Sequence, residues 1–386
     1  MNSPPPTSEG TGTSGPSGRV SNWNEATFQV LLLDQSQNEM TNSESGMPVL
    51  PPPLILSQIL DIYFEKCCHI VGILHPEKFQ RDLNSRIRIR AEFHQQPSNK
   101  SAYGYQKVDS VSRPLLLSML AVAAQYHPLF SSREGQEFVR NAFYERARRA
   151  ILQSPEIMNL TVLKTAIHIS FYCTNNTLWR EAYFWHGYNV NCSRYLNLPT
   201  MDLYPKNLTG DAEIIEAEEM RRCFWILRQS DILSATSSKK IHHFQEEKEF
   251  ASVKLPLGQS DFTMLNPSEY PFSNLTIDKY LLSPPQSHQI LDPFSSLVVI
   301  QAIFARITNY RIESEQAPSN NGVDVFNKII ADLDTFYSKL PDGAKNMDLG
   351  IFPTFWNEEM DRWAILLIIY HATHVCLHAP EYNSNF

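Results

Sequence analysis

From Pro53 onward the chain keeps placing apolar residues three and four positions apart, the period that lines one face of an α-helix. Leu56, Ile59, Leu60, Tyr63 and Phe64 form the first such stripe. Pro114, suited to a first helical turn, opens a second helix through PLLLSMLAVAAQY, which His127-Pro128 ends. An amphipathic helix comes next over 135–152, through Phe138, Ala142, Tyr144 and Ile151. Residues 161–173 and 181–198 read as a helical hairpin joined at Asn175-Asn176. The span 211–235 is a longer helix in which Glu218 is spaced to pair with Arg221 and Arg222, at i+3 and i+4. Three more helices are predicted at about 287–314, 321–339 and 355–378. Period-two alternation is scarce. RIRIRAEF, at 86–93, is the one strand candidate, and it fits a helix end as well. The expected fold class is all-α, a multi-helix domain.

Two stretches break the pattern. Residues 1–53 are rich in Pro, Ser, Gly, Asn and Thr, a composition that buries too little apolar surface to offset its ordering entropy. They are expected to be a disordered tail or linker. The apolar island WNEATFQVLLLD, Trp23 to Asp34, reads either as a segment docking on the body or as an acidic-hydrophobic interaction motif. Residues 237–285 hold many Ser, Pro, Lys and Glu and read as a long irregular connection with one or two short helices. Connections of this length inside a domain are usually functional or mobile. The expected organisation is a tail over 1–53 and a helical domain over 54–386, cut short at its C-terminal end.

Composition adds limits on function. Hydrophobic residues make up 42% of the 386, which allows a sizeable core. The formal net charge of -8 argues against a surface that grips a polyanion. The densest basic cluster, Arg146, Arg148 and Arg149, reads as a solvated helix face. Six cysteines occur without a Cys-x2-Cys pair, a reduced pattern rather than a disulfide framework. The longest strongly apolar run, Trp363 to Tyr370, is too short to cross a bilayer, so no membrane partner is expected.

Signatures of catalysis are absent from the sequence: no Gly-rich phosphate loop, G-x-S-x-G elbow, H-E-x-x-H or EF-hand loop. His371, His374 and His378 share one helix face near Cys376, a set that can hold zinc. No carboxylate accompanies them, and the bland reading is a helix face. His242-His243, beside Glu246 and Glu247, is a weaker pair. No catalytic, cofactor-binding or metal residue is therefore assigned, and the chain is not expected to be an enzyme. Tyr183, Trp185, Tyr188 and Asn189 are candidates to line a small-molecule pocket between helices.

Four segments, in order, resemble the middle homology region of fungal zinc binuclear cluster transcription factors. In ILDIYFEKCCHIVGILHPEKF, Leu74, His75 and Phe79 match the family's Leu-His-x-x-x-Phe turn. PLLLSMLAVAAQY is similar to its Leu/Ala-rich second helix. In EAYFWHGYNVNCSRYLNLPT, Ala182, Tyr183 and Gly187 stand in register, and Leu196-Asn197-Leu198 ends the helix where the family has Leu-Gly-Leu. Gly187 is expected to permit close helix approach, and Asn197 to take a left-handed conformation at the helix end. Asn189, Asn191 and Ser193 depart from the family, which carries Ala and Arg there. EEMRRCFWILRQSDILSA is the most specific match, through Glu218, Glu219, Arg221, Arg222, Phe224, Trp225 and Asp231. Ile232 stands where the family usually has Arg, and Ser238-Lys239-Lys240 where it has Gly-Arg-Pro. These departures put the turn after this helix and its ion pair in question.

The resemblance implies a helical regulatory domain that works with a zinc cluster, in which six cysteines hold two zincs and read DNA. Such a domain regulates activity, restrains the activator or responds to a metabolite, in RNA polymerase II transcription in the nucleus. Zinc is expected only in that cluster, with no cofactor in this chain. No window of about thirty residues holds more than two cysteines, so the cluster is not in this sequence. The chain is expected to be a fragment or a relative without its DNA-binding end. DNA is then a partner only through the missing cluster. Transcription machinery or co-regulators, a small-molecule effector and a second copy in a homodimer are the other expected partners. The competing reading is a helical small-molecule-sensing or protein-interaction module without DNA binding, and after it a helical enzyme.

Overall fold

The helical period is realised throughout the described residues of the computed structural model, which are 50–51, 53–93, 112–130, 132–153, 155–203, 210–238, 243–244, 247–264, 275–283, 291–316, 322–345 and 358–378. No strand occurs among them. The island at 23–34 and nearly all of the expected tail lie outside these residues.

The first helix, α1 (Pro53–Ile62), runs through a π-helical turn (Tyr63–Cys67) into a last turn at Cys68–Val71. The extra residue of a π turn rotates the next turn of helix about the axis. Here Ile59, Tyr63, Cys67, Cys68 and Val71 all end up buried. Gly72 closes the helix at φ 55, a left-handed conformation that suits glycine, and its N–H returns to the Cys68 carbonyl.

A second helix, α2 (Pro76–Phe93), takes in the strand candidate at 86–93. Phe79 and Leu83, one turn apart, anchor its first half in the core. A helix started this way extends through Arg and Ile, whose alternation is too short to override it.

The central helix is α3 (Arg113–Ala123). Ser112 caps it by accepting the Leu115 N–H, and Pro114 sits in its first turn. Leu115 through Ala124 are all buried, as expected for a helix that is apolar all round. Around it pack α4 (Arg133–Leu152), capped by Ser132, and α5 (Leu160–Asn175), capped by Asn159. The hairpin turn after α5 places Thr177 at φ 58 and leads into α6 (Trp179–Tyr195). Asn197, just past α6, stands at φ 56, in the left-handed conformation.

The long helix α7 (Asp211–Ser238) packs on α5 and α6 and on α8 (Pro293–Gln316). The helices α9 (Gly322–Lys339) and α10 (Glu358–His378) in turn pack on α8. Helix α8 starts later than its sequence pattern suggests, at Pro293, because Asp292 caps it through the Ser295 N–H.

The connection after α7 departs most from expectation. Its described residues hold three short helical segments, Glu247–Phe250, Gln259–Thr263 and Ile277–Leu282. Its apolar residues Phe244, Phe250, Val253, Leu255, Phe262 and Tyr280 are buried, so the described part of this stretch is core rather than surface loop.

Candidate functional site

A buried irregular segment must find partners for its backbone polar groups, because water is not there to supply them. The side chains of α7, with Asp202 ahead of it in the chain, supply them here. Glu218 accepts the Leu257 N–H at 2.8 Å. Arg222 donates to the carbonyls of Leu257 at 2.7 Å and Gly258 at 3.3 Å. The Trp225 indole N–H donates to the Lys254 carbonyl at 2.7 Å, and Asp202 accepts the Lys254 N–H at 2.9 Å. Asp231 accepts the N–H groups of His243 and Phe244.

The same side chains are paired among themselves. Arg221 makes a two-pronged bond with Asp202, at 3.0 and 2.7 Å, and also reaches Glu218. Arg222 bonds the other Glu218 oxygen and extends to the Gly72 carbonyl and the Gln259 amide oxygen. Its guanidinium lies 4.0 Å from the centroid of Phe262. One arginine therefore ties the end of α1, α7 and the 257–259 segment together. Glu219, fully buried, accepts from Lys164 at 2.7 Å, Lys78 at 3.3 Å and the His75 N–H at 3.1 Å. Burial alone would raise the Glu219 carboxyl, but Lys164 and Lys78 outweigh it and hold it below its ordinary value. Burial and Arg221 compete in the same way at Asp202, and Arg221 wins.

A second polar knot closes on Asp231. One of its oxygens accepts from His186 at 3.3 Å and from the His243 ring at 3.0 Å. The other meets Arg228 at 3.3 Å, so Arg228 provides the ion pair that Ile232 cannot. Burial would raise this carboxyl, yet the hydrogen bonds from His186 and the 243–244 backbone hold it well below the usual carboxylate range. His186, Asp231 and His243 bring three potential ligand atoms within 4.8 Å of one another, the one such group among the described residues. Arg228 and two backbone N–H groups already share the carboxylate, which makes the knot a clasp for the connection.

Between α5, α6 and α7 lies a cavity of about 810 Å³. Ile167, Asn189 and Leu227 form its buried floor, and Trp179, Tyr183 and Leu233 its exposed rim.

Most of the residues singled out by sequence are buried. Leu74, His75 and Phe79 lie at the turn into α2, beside Glu219. Arg221, Arg222, Phe224, Trp225 and Asp231 are buried along α7. Leu198 is buried, Leu196 and Ala182 are half-buried, and Tyr183 is exposed on the cavity rim. Gly187 does not serve close packing: a Cβ there would meet nothing within 4 Å. Tyr183 and Asn189 line the cavity, whereas Trp185 and Tyr188 are not among its walls and pack on each other with centroids 5.5 Å apart. His371 and His378 are exposed, and the three α10 histidines do not converge as ligands among the described residues. Glu219's partners Lys78 and Lys164, and Asp231's partners His186 and Arg228, were missed by the sequence reading. Lys78, Lys164 and His186 come from separate helices; Arg228 stands three residues before Asp231 on α7, and that spacing was the signal that could have found it.

The six cysteines are free thiols, five of them buried. Burial pushes the Cys67, Cys192 and Cys223 thiols up to about 12 and that of Cys173 to about 11. A zinc cluster needs its thiolates grouped in space, and among the described residues no three cysteines come together as a ligand group.

The family described as the fungal specific transcription factor domain matches residues 60–338, which run from the end of α1 through most of α9 and include both polar knots. No curated protein and no solved structure is significantly similar to the chain.

Proposed function

This chain belongs to the family of the fungal-specific transcription factor domain, and from that premise we propose that it is the regulatory region of a transcription factor controlling RNA polymerase II genes in the nucleus. The observation that carries the reading is the family match across 60–338, over a helical frame with no catalytic constellation assigned. DNA is contacted only through a zinc cluster outside this sequence, since the cysteines here stand singly or as the adjacent pair Cys67-Cys68, all of them buried except the half-buried Cys376. The chain itself holds no cofactor. It acts on co-regulators or the transcription machinery, alone or as a homodimer. The net charge of -8 supports protein contacts over phosphate contacts. The test is to fuse the chain to an unrelated DNA-binding domain and measure transcript from a reporter carrying that domain's site. A change in transcript relative to the DNA-binding domain alone, in either direction, is expected. An unchanged transcript from a soluble, promoter-bound fusion would overturn the reading.

A further inference from the structure

Four exposed apolar side chains, Ile70, Trp179, Tyr183 and Leu233, stand around one opening, the mouth of the cavity between α5, α6 and α7. Trp179 is 63% exposed and Leu233 52%. The half-buried Phe171 and Ile226 continue the apolar lining. A volume of about 810 Å³ leaves room for several large side chains. An exposed apolar rim around a concave floor marks a site where another apolar surface docks. The one permanently charged side chain among the described walls is Arg180, which is exposed.

The chain carries a segment whose composition suits this groove. In WNEATFQVLLLD, residues 23–34, Trp23, Ala26, Val30 and Leu33 recur at i, i+3, i+7 and i+10. That is the spacing of the anchors that an amphipathic segment lays into an apolar groove. Glu25 and Asp34 are its only charges, opposite in sign to Arg180. The reach is sufficient as well. Ile70 and Val71, on the groove wall, end the helical run that begins at Pro53. A run of that length rises about 27 Å. The 18 residues from 35 to 52 extend to about 60 Å at most, more than twice that distance. Docking on the same chain is then intramolecular, which favours it over a free partner of equal affinity.

We propose that residues 23–34 dock into the groove between α5, α6 and α7 of the same chain, with Trp23 as the aromatic anchor and an acidic side chain of the segment facing Arg180. The rings of Phe171, Trp179 and Tyr183 supply faces and edges for the indole. Docked, the segment covers the apolar rim, and its own apolar stripe is withheld from other proteins. The groove and any partner of the segment therefore compete for one surface. The inference goes beyond the transcriptional reading and does not depend on it.

The test replaces Leu31, which flanks the stripe, with the photo-crosslinking amino acid benzoylphenylalanine in the full chain. Irradiation at high dilution should join position 31 to groove peptides of the same chain, from 70–71, 167–189 or 226–234. Leu233→Glu sets a carboxylate on the exposed rim. It should cut that product roughly tenfold, the scale of one charge left against an apolar partner, while leaving the melting temperature in place. Trp23→Ser, in the segment itself, should cut the product as far. Absence of product, product on another part of the body, product joining two chains, or a yield indifferent to either substitution would each overturn the proposal. The crosslink map uses an unaltered groove, so a poorly folded Leu233→Glu leaves the test decisive. A negative result beside an active tethered reporter would remove the docked segment and leave the transcriptional reading standing.

Discussion

His168 shows how a single buried group sets a pH dependence. Its Nδ1–H faces the Lys164 carbonyl and its Nε2 the Tyr63 hydroxyl, both at 2.7 Å, which suits the neutral ring. Burial lowers its pKa from 6.5 to about 4. Below pH 6.5 the unfolded chain takes up a proton that the folded chain refuses until about pH 4. The unfolded state therefore gains, and stability falls, as pH drops through that window. The contribution, about 3 kcal/mol from the size of the shift, is complete above pH 6.5 and lost near pH 4. Urea midpoints of the parent and of His168→Gln, measured from pH 7 down to pH 4.5, check it. The parent should lose more stability than the variant, and parallel curves would show that His168 does not titrate this way. Glu219 gives a second residue-scale expectation. Glu219→Gln leaves Lys164 buried without its counter-charge, which should cost about 3–5 kcal/mol in denaturant unfolding. A cost below about 1 kcal/mol, the level of a surface pair, would mean the lattice is not buried in solution.

At the scale of elements, α7 is the spine that makes a buried irregular connection tolerable. Trp225 is 2% exposed, packs with Phe224 and Phe250, and bonds the Lys254 carbonyl. Trp225→Ala should cost about 3–5 kcal/mol, and a melting temperature within a degree or two of the parent would deny the anchor role. The helices were readable because a 3.6-residue period and caps are local properties of sequence. The Glu218 pairs with Arg221 and Arg222 were readable for the same reason, being one turn apart. The helical character of 86–93 was ambiguous because Arg and Ile alternate over too few residues to decide a period. The burial of Val253, Leu255 and Phe262 was not readable, since it depends on side chains of α7 satisfying backbone groups far away in sequence. The cavity was half readable: Tyr183 and Asn189 were found, while Gln229 and His186 needed the crossing of α6 and α7.

Across the whole molecule, the frame holds many of its charges as buried pairs, and the formal net charge of -8 disfavours attraction of a polyanion. The chain should therefore bind duplex DNA weakly and without sequence preference at physiological salt. Fluorescence anisotropy checks this, and specific nanomolar binding would demand a DNA-reading surface in the helical frame. The central claim, that these helices regulate transcription without reading DNA, is tested most directly at a promoter. The chain is tethered there through an unrelated DNA-binding domain, and RNA polymerase II occupancy is measured by chromatin immunoprecipitation, with the DNA-binding domain alone as reference. The account predicts occupancy clearly above or below the reference, and a return toward it when Glu219→Gln weakens the lattice. Occupancy equal to the reference, with the fusion folded and present on the site, would contradict it.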